Sequence, residues 1–418
     1  MNTQVVCRRA IEALRAGVPN RDAVLALGCE QSEIEERFRA QLQEAKDGAK
    51  ARVQAPGLLI AGDFGSGKSH LLEYLQHAAV EARFVCSKVV ISKETPLYDP
   101  AKLYRSAMRV AVVPGKRGAA LTEIAAHLDP ANEAYNELNT WAHNPSAALN
   151  SRFAATLFLF KRMGMDPELR NRLISFWSGD PLGAGEIKKY LKACGERATY
   201  KIETATLRDL ALQRFQFVPR LIVAAGYAGW VLLVDEVELI GRYSWLQRAK
   251  SYADLLRWMG KFPGRQVPGL VTVFAIMSNF ESYVLEERND VEVVPGKARD
   301  KGLEDLARLA ERGMRLIQRE KARLKAPDAR AIQQTCEKVR AIHAEAYGWQ
   351  PPSVPVKRLG LTSMREYVKR WITEWDLKHL DPGYTVDLEQ TELTPNYTED
   401  AALEASEEEA ERISKDRQ

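Results

Sequence analysis

Gly62-Asp63-Phe64-Gly65-Ser66-Gly67-Lys68-Ser69 is the stretch on which the fold turns. It matches the pattern G-x-x-x-x-G-K-[ST], in which glycines let the backbone curl so that successive N–H groups point inward at phosphate oxygens. The flanks supply the required context. Gly57-Leu58-Leu59-Ile60-Ala61-Gly62 is a short apolar run, suited to a strand buried on both faces. Ser69 to Glu81 places Leu71, Leu72, Leu75, Ala78 and Ala79 at helical spacing. A helix starting there would present its positive end to a bound anion. Lys68 would reach β- and γ-phosphates, and the Ser69 hydroxyl would ligate Mg²⁺.

Strand–loop–helix chemistry of this kind needs an acid, and one lies far downstream. Val231-Leu232-Leu233-Val234 is followed by Asp235-Glu236. A buried strand delivers carboxylates at its C-terminal end, where open α/β sheets bind ligands. Asp235 is expected to hold the Mg²⁺, and Glu236 to polarise a water that attacks the γ-phosphate. The next apolar run, Val271 to Met277, ends at Ser278-Asn279. A polar side chain there can touch both γ-phosphate and water; Asn279 is the choice and Ser278 the alternative. Arg288 precedes Val291-Glu292-Val293-Val294, read as a fifth strand, and could complete a neighbouring subunit's site. Arg365, near the start of the last helix, could close a lid on the phosphates.

The remaining pattern is mostly helical. Residues 8–50 carry apolar side chains at three- and four-residue steps, broken at Gly17-Val18-Pro19-Asn20. Arg83 to Ile91 reads as a second strand. The interval 101–219 reads as helices punctuated by Gly, Pro and Asn clusters, too long to be a loop and therefore a helical insertion. The expected organisation is an N-terminal helical segment (1–50), an α/β core (51–100 and 220–295), the insertion (101–219), a helical lid (296–380) and an acidic tail (381–418). Two long helices are expected over 301–347. Strands alternating with helices imply a parallel sheet covered on both faces.

Composition narrows the class. The 418 residues are 45% hydrophobic and 28% charged, the balance of a globular chain of two or three domains. No apolar run of about 18 residues occurs, so no membrane helix is expected. The charged N-terminus does not read as a secretory signal. Cys7, Cys29, Cys86, Cys194 and Cys336 have no paired spacing, which excludes a disulfide framework and fits a reducing cytoplasm. The net charge of +4 is uneven. From Asp381 onward 12 residues are acidic and 3 basic, so the tail is expected to be loosely held and the body is basic. Trp141, Trp177 and the many Lys and Arg of the insertion suit either a core or a DNA-facing platform, with core the commoner outcome for aromatics at helical spacing.

These motifs together resemble the AAA+ superfamily of ATPases. Gly62 to Ser69, with its extra Gly65, is similar to the Walker A motif of that superfamily, and Val231 to Glu236 to its Walker B motif. Asn279 falls at sensor 1, Arg288 near the finger position and Arg365 at sensor 2. A closer resemblance covers nearly the whole chain. Arg9-Ala10-Ile11-Glu12-Ala13-Leu14-Arg15-Ala16-Gly17-Val18-Pro19, the loop extended to His70, and Val356-Lys357-Arg358-Leu359 look like the ATP-binding proteins of BREX phage-exclusion systems, the BrxD-like family. That resemblance implies a cytoplasmic Mg²⁺-dependent ATPase of a bacterial defence cluster. It implies other BREX components as partners. A homo-oligomer follows instead from the finger logic, since a trans arginine completes the site only across an interface, and DNA enters as a target of the remodelling reading. The resemblance also implies that the N-terminal segment lies over the adenine, making Val18 and Pro19 base contacts, and it adds His70 to the nucleotide-binding residues. Two readings follow: a remodelling ATPase that turns over, and a nucleotide-gated switch that does so slowly or not at all.

Overall fold

The structure is a computed structural model that describes residues 3–403 apart from 19, 52, 197, 264–265, 355–362 and 385–395. Its centre is a five-stranded parallel sheet in the order β2-β3-β4-β1-β5. The strands are β1 (Leu58–Gly62), β2 (Val85–Val90), β3 (Trp230–Asp235), β4 (Leu270–Met277) and β5 (Ala322–Arg323). Every residue of β1, β3 and β4 is buried, as their continuous apolar runs require of strands covered on both faces.

Side chains alternate across the sheet. Leu58, Ile60, Val231, Leu233, Val271 and Val273 pack on one face against α3 (Ser32–Ala51) and α4 (Lys68–Glu81). Leu59, Trp230, Leu232, Val234, Phe274 and Ile276 point to the other face. There they meet α5 (Pro100–Arg109), α6 (Ala120–Ala126), α7 (Glu133–His143), α8 (Ser151–Met163), α9 (Pro167–Ser178), α10 (Ala184–Ala193) and α11 (Leu207–Ala224). The same core takes in α12 (Trp245–Trp258), α13 (Asp290–Asp300) and α14 (Glu304–Glu320). The 101–219 helices are therefore continuous with the sheet's core rather than a detached platform. Trp177 is fully buried with its indole N–H on Thr156, which ends its reading as a base-stacking surface. Trp141 is half-buried under the Arg220 guanidinium.

A separate apolar cluster joins the two ends of the chain. The helices α1 (Thr3–Ala16), α2 (Arg21–Leu27), α15 (Ala329–Tyr347) and α16 (Met364–Leu380) bury Ile11, Leu14, Ile332, Val339, Trp371 and Trp375 together. Asp376 on α16 accepts from Arg15 of α1 at 2.7 Å and lies 3.0 Å from His343 of α15, binding all three helices. The N-terminal segment thus divides: α1 and α2 join this second cluster, α3 the sheet. On the C-terminal side the second cluster begins after β5, because α14 packs on α12 and α13.

Two expectations are corrected. Val291 to Val294 is not a strand; it lies in α13, where Asp290, Val294 and Ala298 are buried at helical spacing. Tertiary packing overrides the β preference of its valines. The edge strand is instead Ala322–Arg323, pairing with Ile60 and Ala61, inside the interval expected to hold only helices. The acidic tail is not loose throughout. Residues 396–403 lie on the core, while Glu404 to Glu411 fall outside the described residues.

Candidate active site at the carboxyl edge of the sheet

Alternation along β3 aims Asp235 toward the face that carries α4, together with Val231 and Leu233. Ser69 begins that helix one residue in, and its hydroxyl donates to Asp235 Oδ2 at 2.6 Å. Two positions 166 residues apart in sequence meet here. They sit in a cavity of about 610 Å³, within the usual range for small-molecule sites.

The loop between β1 and α4 forms the cavity floor. Gly65 has φ +72 and Gly67 φ +96, conformations that side chains with a Cβ rarely adopt. A Cβ on Gly65 would also stand 2.5 Å from the Ser363 hydroxyl, which begins the lid helix. The Lys68 ammonium folds back on the loop, donating to the carbonyls of Gly62 at 2.8 Å and Asp63 at 3.1 Å. Burial holds its pKa below the ordinary lysine value, against the opposing pull of Glu238, Asp235 and Asp63. Among the described residues its hydrogen-bond partners are those two carbonyls and the Met277 sulfur, none of them a carboxylate. Ser66 Oγ is buried with no hydrogen-bond partner among the described residues. A buried cation without a carboxylate partner, beside an orphaned hydroxyl, is an environment that a phosphate would satisfy.

The acids differ in setting. Glu236 has φ +57, a strained backbone for a side chain of that size, and its N–H is tied to Asp235 Oδ1 at 2.9 Å. Its carboxyl is raised by burial and then by Asp235. Glu238, which the sequence reading passed over, lines the same cavity, and burial pushes its pKa up to about 7. One of its oxygens is buried without a partner among the described residues. The available signal was the third carboxylate in Asp235-Glu236-Val237-Glu238. The donor set suits a hard cation: Ser69 and Asp235 offer oxygen ligands. Among the described residues no cluster of three His, Cys, Asp or Glu could hold a metal unaided.

The other expected residues divide. Ser278, the alternative choice, donates its hydroxyl to the Asp63 carboxylate on the loop. Asn279 instead accepts from the Tyr397 hydroxyl at 3.0 Å. Arg365 lies in the cavity wall with its guanidinium 5.2 Å from the Phe64 ring centroid. Arg288 is engaged within its own chain, by the carbonyls of Gly241 and Tyr397 and the carboxylate of Glu399. As placed, it is not a free finger. Val18 is 63% exposed and lines the cavity. Pro19 and Val356 to Leu359 lie outside the described residues. His70 lines the cavity, but its Nε2 is bonded to the Gly28 carbonyl at 2.8 Å, and burial lowers its pKa. A neutral ring donating to that carbonyl makes His70 a clasp between α4 and the end of α2. A second unforeseen clasp is Gln31, whose amide exchanges two 3.0 Å hydrogen bonds with the backbone of Lys325. It seals the wall between the N-terminal segment and the strand β5 connection.

Such an arrangement defines an α/β protein with a ligand-sized cavity at the carboxyl edge of a parallel sheet, walled by helices from the N-terminal segment and from residues 329–380. Comparison with known families is specific. The family model for the BREX system ATP-binding protein BrxC/D matches residues 4–374, and the chain belongs to that family. ATP is accordingly its ligand and BREX defence its setting. No curated protein and no solved structure matches the chain. Among the described residues, no helix is long and apolar enough to cross a membrane.

Proposed function

We propose that the chain is an AAA+-like, P-loop ATPase that hydrolyses ATP with Mg²⁺ and acts in the cytoplasm on a DNA-associated complex of other BREX components. The observation that carries this reading is the 2.6 Å hydrogen bond between Ser69 and Asp235, which joins the phosphate loop to the strand-end acids. Backbone N–H groups of residues 62–69 and the start of α4 cradle the phosphates. Lys68 turns from its carbonyls to the β- and γ-oxygens. Ser69 and Asp235 are the residues that would hold Mg²⁺, which would supply positive charge to the phosphate oxygens. Glu236 orients and deprotonates the attacking water, its raised carboxyl suited to a base. Arg365 leaves the Phe64 ring for the γ-phosphate as the lid closes, and Val18 covers the base.

The test is ATP turnover of the purified chain, with and without duplex DNA, beside Lys68→Ala and Glu236→Gln. Lys68→Ala is expected to lose ATP binding. Glu236→Gln is expected to retain ATP and lose turnover by about 10²-fold or more. The nucleotide-gated switch is retained as a second reading because Asn279 is engaged by Tyr397 rather than turned to the cavity. Bound ATP with no turnover in the unaltered chain would select it. DNA stimulation that vanishes between 50 and 200 mM salt would support a polyanion target.

A further inference from the structure

The described end of the chain crosses the core at a point that matters to the site. Tyr397 packs its ring against Phe280 and Tyr283, and its hydroxyl donates to Asn279. Glu399 accepts from Arg288 at 2.6 Å and from Arg248 at 2.8 Å. Asp400 pairs with Arg242 at 2.7 Å, and its own N–H donates to the Arg242 carbonyl at 2.9 Å. These three arginines are arranged from below. Asp290, fully buried, pairs with Arg248 and accepts from the Tyr252 hydroxyl. The Gly241 carbonyl holds Arg288. Without Glu399, Asp290 would be the carboxylate left facing the guanidiniums of Arg248 and Arg288. Arg242 and Gly241 belong to the turn that begins directly after Glu236, so the cluster is continuous with the strand-end acids.

We propose that residues 396–400 are a latch: an acidic segment that occupies an arginine-rich, carboxylate-receiving surface and holds Asn279 and Arg288 in a resting arrangement. The latch rests on the proposed role of residues 62–69 and 235–236 in ATP handling, but its docking does not. Release turns Asn279 toward the cavity and frees the arginines for an acidic segment of another protein. The geometry favours reversibility. Glu399 is half exposed, so its side of the contact with the buried Arg248 and the partly buried Arg288 opens to water, while Tyr397 supplies one aromatic anchor.

Hydrogen exchange of the full-length chain, read alongside ATP affinity and turnover, tests this. The comparison proteins are Glu399→Gln/Asp400→Asn, which keeps the aromatic anchor, and Tyr397→Ala. Residues 396–403 are expected to exchange at least tenfold slower than an unstructured peptide in the unaltered chain. Both variants should remove that protection. ATP turnover should then rise at least threefold; where the chain has no turnover, ATP affinity should tighten at least threefold. Unprotected residues 396–403 in the unaltered chain would overturn the latch. So would variants that lose protection while turnover and affinity stay unchanged. Absent turnover in all three proteins, with ATP bound, counts against the hydrolase reading and leaves the latch to be judged on protection and affinity.

Discussion

At the residue scale, the site is built from groups held in unfavourable states that a ligand would relieve. Lys68 is buried without a direct carboxylate partner, Ser66 has a buried hydroxyl without a partner among the described residues, and Glu236 sits in a left-handed backbone conformation. Gly65 shows how tightly loop and lid meet. Gly65→Ala is expected to cost about 1–2 kcal/mol from backbone strain, to collide with Ser363, and to weaken ATP binding at least tenfold by calorimetric titration. A retained affinity would mean that the lid does not rest on this loop when ATP binds. Glu238 makes a prediction about pH. Its folded pKa is raised to about 7 from 4.5, so between these values the folded chain holds more protons than the unfolded one. Stability from this group is fully present below about pH 4.5 and is lost as pH rises through 7, by roughly 3 kcal/mol at most. Urea denaturation at pH 5 and pH 8 should show Glu238→Gln flattening that fall; an equal slope in both proteins would refute the burial of this carboxyl.

At the scale of elements, the lid is the least expected assembly. It draws α1 and α2 from one chain end and α15 and α16 from the other around a core of their own. Helical periodicity in residues 8–50 marked the apolar stripes of these helices, but a stripe does not say which partner it meets. Trp371, 2% exposed at the centre of that cluster, gives the handle. Trp371→Ala should cost about 3–5 kcal/mol within the lid. It should weaken ATP binding while leaving exchange protection of β1, β3 and β4 intact. Simultaneous loss of protection in the sheet would show that lid and sheet unfold as one unit. The two misread strands teach the same lesson from the other side. Val291 to Val294 carries β-branched residues, yet the buried Arg248–Asp290 pair and packing on α12 and α14 hold it as helix. Ala322–Arg323 is a true strand of two residues, too short for any alternation to register.

At the scale of the whole molecule, the cavity is lined by the loop between β1 and α4, the strand-end acids, the N-terminal segment and the starts of α15 and α16. A ligand held by all of them ties sheet to lid. ATP at 100 times its dissociation constant should therefore raise unfolding stability by about 2.7 kcal/mol, read as an upward shift of the thermal midpoint. That shift should be absent in Lys68→Ala. A midpoint that does not move in the unaltered chain would argue against this cavity as the ATP site. What the amino-acid order determined alone was local and chemical: a glycine-rich turn between an apolar strand and a helix, four buried strands, and Asp235-Glu236 at a strand end. These features were legible because each is written in neighbouring residues, through periodicity, backbone freedom and side-chain type. Only the folded chain decided that Ser69 and Asp235 touch, that the lid takes α1 and α2, that Asn279 turns to Tyr397, and that Arg288 is engaged by Glu399. The reason is physical. Long-range contacts are selected by packing and charge among many alternatives of similar local propensity, and no short stretch of sequence carries that choice.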